Sequence, residues 1–244
     1  RRRASDLVGV INAVMFGAPD LELDLGPPSV RRRYLDILIS QLDQRYLKAL
    51  QRYQRVVSQR NRLLKTIREG RAQTAELQFW DDELAASGAC LMHGRAVTIA
   101  ALSRLSAPIH ERLADGENLR VAYDPSGEIA AGESEDDAGL ALTQLLEQRR
   151  SRDIGQGFTT AGPHRDDLRL TLDGMEAGPY ASRGQCRTVV GAFSSESSTT
   201  VSTGAVAGSV KVCLSSSASF SSASILAVSR GACTNFMRSS VTIP

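Results

Sequence analysis

Residues 31–70 decide the fold, and they read RRRYLDILISQLDQRYLKALQRYQRVVSQRNRLLKTIREG. Their apolar side chains recur at steps of three, four or a multiple: Leu35, Leu38, Leu42, Tyr46, Leu50, Tyr53, Val57 and Leu64. This spacing predicts an amphipathic helix of about eight turns from Tyr34 onward, with its arginines mostly off the apolar stripe. Glu69-Gly70 ends or interrupts the helix.

A second helical stretch follows the first after a short break. Its apolar residues have compatible spacing: Leu77, Trp80, Leu84, Leu91, Leu102, Leu105, Ile109 and Leu113. Two long helices joined by a short break are expected to fold back on each other. The sequence therefore predicts an antiparallel, coiled-coil-like helical arm.

Strand patterns flank this helical region. Residues 7–16 (LVGVINAVMF) and 119–124 (LRVAYD) are typical of strands, and 168–172 with 175–180 predict a hairpin around Asp173-Gly174. A shorter helix is predicted over 139–152, after the acidic loop 132–137 that supplies N-cap chemistry, and Gly155 and Gly157 mark the turn that follows it. The order along the chain is a strand, then a helical insertion, then further strands. This order predicts an α/β head domain interrupted by an arm.

Composition excludes some classes of protein. The chain has no run of about 18 apolar residues, so no membrane span is expected. Four cysteines without CxxC spacing indicate a reduced cytoplasmic compartment. The chain opens Arg1-Arg2-Arg3 without a Met or a secretion signal, and we expect its natural N-terminus to lie upstream.

Positive charge is concentrated in residues 31–71, although the net charge is only +2. Asp36, Asp43 and Glu69 are the only acids in that segment. Such a segment can follow a phosphate backbone, but it is equally typical of the solvated face of a helix.

Two local clusters carry the most information about chemistry. The first is TTAGPHRDD, residues 159–167, and the second is SRGQCRT, residues 182–188. The second has the composition of a short turn that opens a helix, where a hydroxyl, a glycine and free N–H groups suit a phosphate. An ordinary capped helix start is the alternative interpretation.

Together and in this order, the two clusters resemble the RecF family of DNA replication and repair proteins. In that family, a GPHRDD-like segment returns the chain from the arm to the head, and an SxGQxRT-like segment is the counterpart of the ABC signature motif. The stretch Met15-Phe16-x-x-Pro-Asp-Leu21 before Arg31-Arg32-Arg33-Tyr34 is also similar, as is Leu50–Arg55 with Gln59-Arg60-Asn61. The resemblance runs from about residue 6 to 193.

The resemblance implies a partial ABC-type ATPase head. Ser182, Gly184 and Gln185 would contact the γ-phosphate of ATP held by a partner subunit, with Arg187 adding charge there, so that ATP and Mg²⁺ drive homodimerisation. It also implies binding to gapped or duplex DNA, RecO and RecR partners, recombinase loading and a role in the SOS response. Arg31, Arg32 and Arg33 are our candidates for DNA contact.

The resemblance also places His164 and Arg165 near the head surface. Only three histidines occur and no ligand spacing recurs, so no metal site is expected. Asp166 and Asp167 are predicted to pair with nearby arginines rather than to act as catalytic carboxylates.

Two motifs needed for ATP hydrolysis do not occur in the sequence. There is no GxxxxGK[ST] loop, since residues 204–211 (GAVAGSVK) have the wrong spacing, and no apolar strand ending in acids follows residue 188. We therefore expect no ATPase activity and no cofactor for this chain alone.

Residues 194–244 are rich in serine, contain Glu196 as their only acid and predict a weakly folding tail. One interpretation is an out-of-frame reading of the family's C-terminal part, in which Leu codons give Ser and Leu-Asp-Pro-Arg-Arg gives Ser224–Val228. Ala218 disagrees with this interpretation.

These predictions divide the chain into four parts: head segment 1–33, arm 34–152, return to the head 153–193, and tail 194–244. The leading functional hypothesis is a RecF-type DNA-binding repair protein. A non-enzymatic helical scaffold is the second hypothesis, and a defective gene product without function is the third.

Overall fold

The computed structural model describes residues 11–16, 26–126, 134–177, 182, 184–186, 188–189, 191–192, 210–215 and 224–228. Its helices are α1 (Pro28–Leu42), α2 (Gln44–Arg68), α3 (Leu77–Leu113) and α4 (Glu135–Gln156), with a short 3-10 helix over Thr74–Glu76. Its strands are β1 (Ile11–Phe16), β2 (Leu119–Asp124), β3 (Asp167–Leu172), β4 (Met175–Glu176), β5 (Val210–Ser215) and β6 (Ser224–Val228). The architecture is mixed and rich in helix. Among the described residues, no helix is both long and apolar enough to cross a membrane.

Backbone contacts divide the chain into two compact units. The bundle unit consists of Arg45–Ala100 and Ala122–Arg169, and the sheet unit of Arg1–Gln44, Ala101–Val121 and Leu170–Pro244. The predicted four-part division places its boundaries at other residues and stays a prediction.

Three helices build the bundle unit. Tyr46 at the start of α2 contacts Arg95 of α3, and Arg60 near the end of α2 contacts Asp81 near the start of α3. These pairs show that α2 and α3 are antiparallel, and the coiled-coil-like arm stays a prediction. Helix α4 runs in the same direction as α2, since Arg45 pairs with Glu135 at one end and Arg68 donates to the Gln156 carbonyl at the other.

The buried face of α2 contains one arginine. This face consists of Tyr46, Tyr53, Val56, Arg60 and Leu64. Their spacing of seven, three, four and four follows one side of a helix. Arg60 is thus the exception to the expectation that the arginines lie mostly off the apolar stripe, and Val56 rather than Val57 is the buried valine.

Arg60 joins all three helices of the bundle. Its side chain is fully buried, and its Nε donates to Asp81 Oδ1 of α3 at 2.7 Å. Its Nη1 donates to Asp153 Oδ2 of α4 at 2.7 Å and to the Thr159 hydroxyl at 2.9 Å. A buried charge is tolerated only when it is paired and hydrogen-bonded. The pairs therefore fix the register of α2 against α3 and α4.

The helix boundaries differ from the predicted ones in two places. The single helix expected from Tyr34 is interrupted at Asp43, whose backbone is extended (φ −132°, ψ 111°). Asp43 stands directly before α2, in the N-cap position that aspartate favours. Helix α4 is longer than the predicted 139–152. Ser134 and Asp137 form a capping box at its start, and Gly157, at φ 74°, ends it in the left-handed conformation.

The structure confirms several predicted strands. β2 covers the predicted residues, and β3 and β4 form the antiparallel hairpin around Asp173-Gly174, with Thr171 opposite Glu176. β4 ends at Glu176, and residues 178–180 of the predicted strand lie outside the described residues. β2, β3 and β4 are neighbours in that order in one sheet.

Two segments of the predicted weakly folding tail are strands. β5 pairs in parallel with β1 and antiparallel with β6, in the order β1-β5-β6. β5 alternates Val210, Val212 and Leu214 with other residues, and this period of two favours a strand despite the serine-rich surroundings. Residues 7–10 of the predicted first strand lie outside the described residues.

We predict that Arg60→Ala lowers the free energy of unfolding by about 3–5 kcal/mol, because it leaves two buried carboxylates without their shared partner. Urea denaturation of the full chain, followed by circular dichroism at the helix band, measures this change. Arg62→Ala is the matched control, since Arg62 is exposed on the same helix. Equal urea midpoints for the two variants would contradict the structural role of Arg60.

Candidate functional site

The SRGQCRT segment begins a helix in the sheet unit. Residues 184–186, 188–189 and 191–192 are helical. The Ser182 N–H donates to Gln185 Oε1 at 2.7 Å, and the Gln185 N–H donates to Ser182 Oγ at 3.2 Å. This reciprocal pair is a capping box. Arg187, predicted to add charge here, lies outside the described residues, so it stays a prediction.

Two residues that the sequence did not indicate extend this cap. Gln185 Nε2 donates to Glu117 Oε1, and Glu117 Oε2 contacts His110 Nε2 at 2.9 Å. His110 is fully buried near the end of α3. Ser182 and Gln185 are thus connected through Glu117 to a helix far away in the sequence.

Gly184 is not required by the surrounding fold. A Cβ atom at this position would meet Ser182 Oγ at 3.7 Å, which is an ordinary van der Waals contact. The absence of a side chain therefore leaves space on the outer side of the helix start. Ser182 and Gly184 are both exposed there. The described geometry suits an approaching acceptor group such as a phosphate oxygen.

The TTAGPHRDD segment packs inside the bundle unit, where it contacts α2. His164 Nε2 lies 3.2 Å from the Thr159 carbonyl and therefore donates to it, which leaves Nδ1 to accept from the Tyr53 hydroxyl at 2.8 Å. Burial raises the pKa of the Tyr53 phenol above its ordinary value, and the charge of Asp166 raises it further. Tyr53 therefore stays neutral and keeps its donor proton.

Asp166 is a structural carboxylate in this unit. It lies 3.8 Å from Arg95 Nη1 and accepts from the Ser126 N–H at 2.7 Å and from the Tyr123 hydroxyl. Burial, followed by the Asp166 charge, raises the pKa of Tyr123. The prediction that Asp166 pairs with an arginine is confirmed. Within the described residues, no group of three or more His, Cys, Asp or Glu could hold a metal ion.

The three arginines predicted to contact DNA lie on α1. Arg31 Nη1 donates to the Gly26 carbonyl at 2.8 Å, and Arg31 and Arg32 are both half-buried. Arg33 is exposed. The structure thus places the three side chains on one helix but in different environments, and their contact with DNA stays a prediction.

Comparison with known proteins identifies relatives across most of the chain. No family model matches it. Curated proteins named DNA replication and repair protein RecF are similar: that of Chloroflexus aurantiacus is 43% identical over 194 residues, covering 77% of this chain and 49% of the relative. That of Synechocystis sp. is 39% identical over 198 residues, covering 78% and 51%. Across the matched residues, the chain belongs to the RecF family.

Solved RecF structures have the same fold. A structure of the recombination mediator protein RecF-ATPrS in the RecFOR pathway superimposes with a TM-score of 0.81 at 26% identity, covering 87% of this chain and 57% of that one. A RecF-ATP structure gives a TM-score of 0.80. The chain spans about half the length of the curated RecF relatives it matches.

Gly162 has a steric role in this RecF-family chain that can be tested. Its φ is +119°, and a Cβ atom would lie 2.7 Å from the Tyr53 hydroxyl. We predict that Gly162→Ala destabilises the chain more than Gly174→Ala, because both replace a glycine with positive φ but only Gly162 has a close neighbour. Backbone strain costs about 1–2 kcal/mol at either position. Equal urea midpoints for the two variants would contradict this interpretation.

Proposed function

We propose that the chain supplies the DNA-binding helices and the ATP-dependent docking segment of a RecF-type replication and repair protein. In this proposal, the sheet unit is part of an ABC-type head and the helices form its arm. The protein acts at DNA gaps and supports recombinase loading with RecO and RecR. Homology to RecF over three quarters of the chain is the main support.

A row of positive charges on the exposed face of α2 supports the DNA contact. Helix α2 contains basic residues and no acids. Arg60 is buried, and Arg45 and Arg52 form ion pairs with glutamates. In the part of the chain that the structure describes, no carboxylate pairs with the exposed Lys48, Arg55 or Arg62.

We define the α2 stripe as Lys48, Arg55 and Arg62. Residues seven apart lie almost above one another on a helix, so the α2 stripe follows one line about 21 Å long. Side chains arranged along a line can neutralise successive phosphates and release their counterions. Such contacts are independent of base sequence, as binding to gapped DNA of any sequence requires.

We predict that replacing the α2 stripe with glutamine weakens DNA binding and lowers the slope of log K against log salt by about 2–3. Fluorescence anisotropy with gapped duplex DNA at several salt concentrations measures both effects. The control is a second variant in which glutamine replaces Arg31, Arg32 and Arg33 together, so that both variants lose three positive charges. We expect this second variant to lower the slope less, because Arg31 and Arg32 are half-buried. An unchanged slope in the α2 stripe variant would reject that surface.

The helix start at Ser182–Gln185 supports the nucleotide part of the proposal. The Ser182 hydroxyl accepts from the Gln185 N–H, so its own proton can be donated to a phosphate oxygen. Gly184 leaves space for that approach. Because the sequence contains no GxxxxGK[ST], the nucleotide with its Mg²⁺ would be held by a second RecF head, and this segment would dock against its γ-phosphate.

We predict that the chain forms a complex with the intact Chloroflexus aurantiacus RecF in the presence of ATP but not of ADP, because only ATP supplies the γ-phosphate. Analytical ultracentrifugation measures the mass change. Gly184→Ala should fold normally and weaken the complex, whereas Gly191→Ala, later in the same helix with nothing within 4 Å of its Cβ position, should not.

The alternative function is a helical scaffold that makes protein contacts without nucleotide. The lack of both nucleotide motifs in the sequence favours it. A complex with RecF that forms equally with ATP, ADP and no nucleotide would support the scaffold and reject the docking segment.

A further inference from the structure

The carboxamide of Gln185 is held at both ends. Its Oε1 accepts from the Ser182 N–H at 2.7 Å, and its Nε2 donates to Glu117 Oε1. An ionised carboxylate can only accept, so Nε2 has to face Glu117 and Oε1 has to face Ser182. The Ser182 N–H and the Glu117 carboxylate therefore require the same orientation of the carboxamide, and Glu117 holds its Nε2 end.

Glu117 is itself fixed by the turn that carries it. This turn joins α3 to β2, and Asp115 and Gly116 adopt positive φ values of 50° and 96° within it. The Gly116 N–H donates to the Glu111 carbonyl at 2.8 Å, and the Glu117 N–H donates to the Ala114 carbonyl at 3.1 Å. The backbone of Glu117 thus has little freedom, and its side chain is only 15% exposed.

The environment of His110 indicates that its imidazole has a purpose beyond packing. The side chain is fully buried, and its Nε2 contacts Glu117 Oε2 at 2.9 Å, so Nε2 carries the proton. Nδ1 has no hydrogen-bond partner among the described residues. An apolar side chain of similar size would fill this position without burying an unpaired nitrogen. Within the part of the chain that the structure describes, the contact with Glu117 is the one polar interaction of the imidazole.

We propose that His110 and Glu117 are positioning residues for the docking segment, and that they hold Gln185 in the orientation that completes the cap on Ser182. Both Glu117 oxygens are occupied, one by each neighbouring side chain. With Gln185 fixed, the Ser182 hydroxyl and the start of the helix face outward toward a nucleoside triphosphate on a second copy of the head. This inference rests on the proposed function of the docking segment.

The first test measures the three side chains in the full chain without any partner. Selective ¹⁵N labelling reports the Gln185 side-chain amide and the tautomer of His110. We expect His110 to carry its proton on Nε2. Glu117→Ala should shift the Gln185 amide toward the position of a solvent-exposed glutamine. An Nδ1–H tautomer in the parent chain, or an unchanged Gln185 amide in Glu117→Ala, would overturn the inference.

A conservative variant separates positioning from folding. In Glu117→Gln the new Oε1 can accept from Gln185, while its Nε2 donates to His110, which then has to move its proton to Nδ1. We therefore expect Glu117→Gln to keep the Gln185 amide shift and to invert the His110 tautomer. Loss of the Gln185 shift in this variant, with the helix content of the chain unchanged, would contradict the inference.

The second test measures the ATP-dependent complex with intact Chloroflexus aurantiacus RecF. We expect Glu117→Ala to weaken the complex about tenfold, because it removes a hydrogen bond to a charged group. We expect Glu117→Gln to weaken the complex much less. Gln185→Ala removes the carboxamide itself and is the reference variant for the loss of the docking contact. If Gln185→Ala weakens the complex and Glu117→Ala does not, the positioning role is overturned alone. If neither variant changes it, the proposed function of the docking segment is overturned together with the inference.

Discussion

The buried guanidinium of Arg60 is the interaction on which the bundle unit depends. It is surrounded by Asp81 of α3, Asp153 of α4 and Thr159 of the following loop, and none of its surface is exposed. A charge cannot remain in such a place without close partners, so any shift of one helix along another leaves a buried ion unpaired.

The same network positions the loop that the sequence singled out. Asp153 Oδ1 accepts from the Thr160 N–H and hydroxyl, and Asn61 Oδ1 accepts from the Thr159 N–H and hydroxyl. The loop is thereby attached to α2 and α4 before it reaches His164. The cluster that resembled RecF is therefore structural in this unit.

Sequence periodicity was sufficient for elements whose stability comes from one apolar face. Local patterns predicted three of these elements: the helix Leu77–Leu113, the strand 119–124 and the turn at Asp173-Gly174. Arg60 was missed although a signal was present: the predicted stripe has a gap between Val57 and Leu64, and Arg60 lies in it. The roles of His110 and Glu117 beside Gln185 could not be predicted, because their contacts join residues far apart in the chain and neither residue 110 nor residue 117 belongs to a recognisable motif.

The two faces of α2 differ in burial and in charge. The buried face builds the bundle, and the exposed face carries charges that no carboxylate in the described part of the chain neutralises. The docking segment belongs to the sheet unit and is organised by its own hydrogen bonds. We propose that this segment meets a nucleotide held by the RecF head of a second molecule. Hydrogen–deuterium exchange of the full chain, mixed with intact RecF, tests that claim most directly. We predict slower exchange in residues 182–192 with ATP than with ADP. Equal exchange in that segment with the two nucleotides would contradict it.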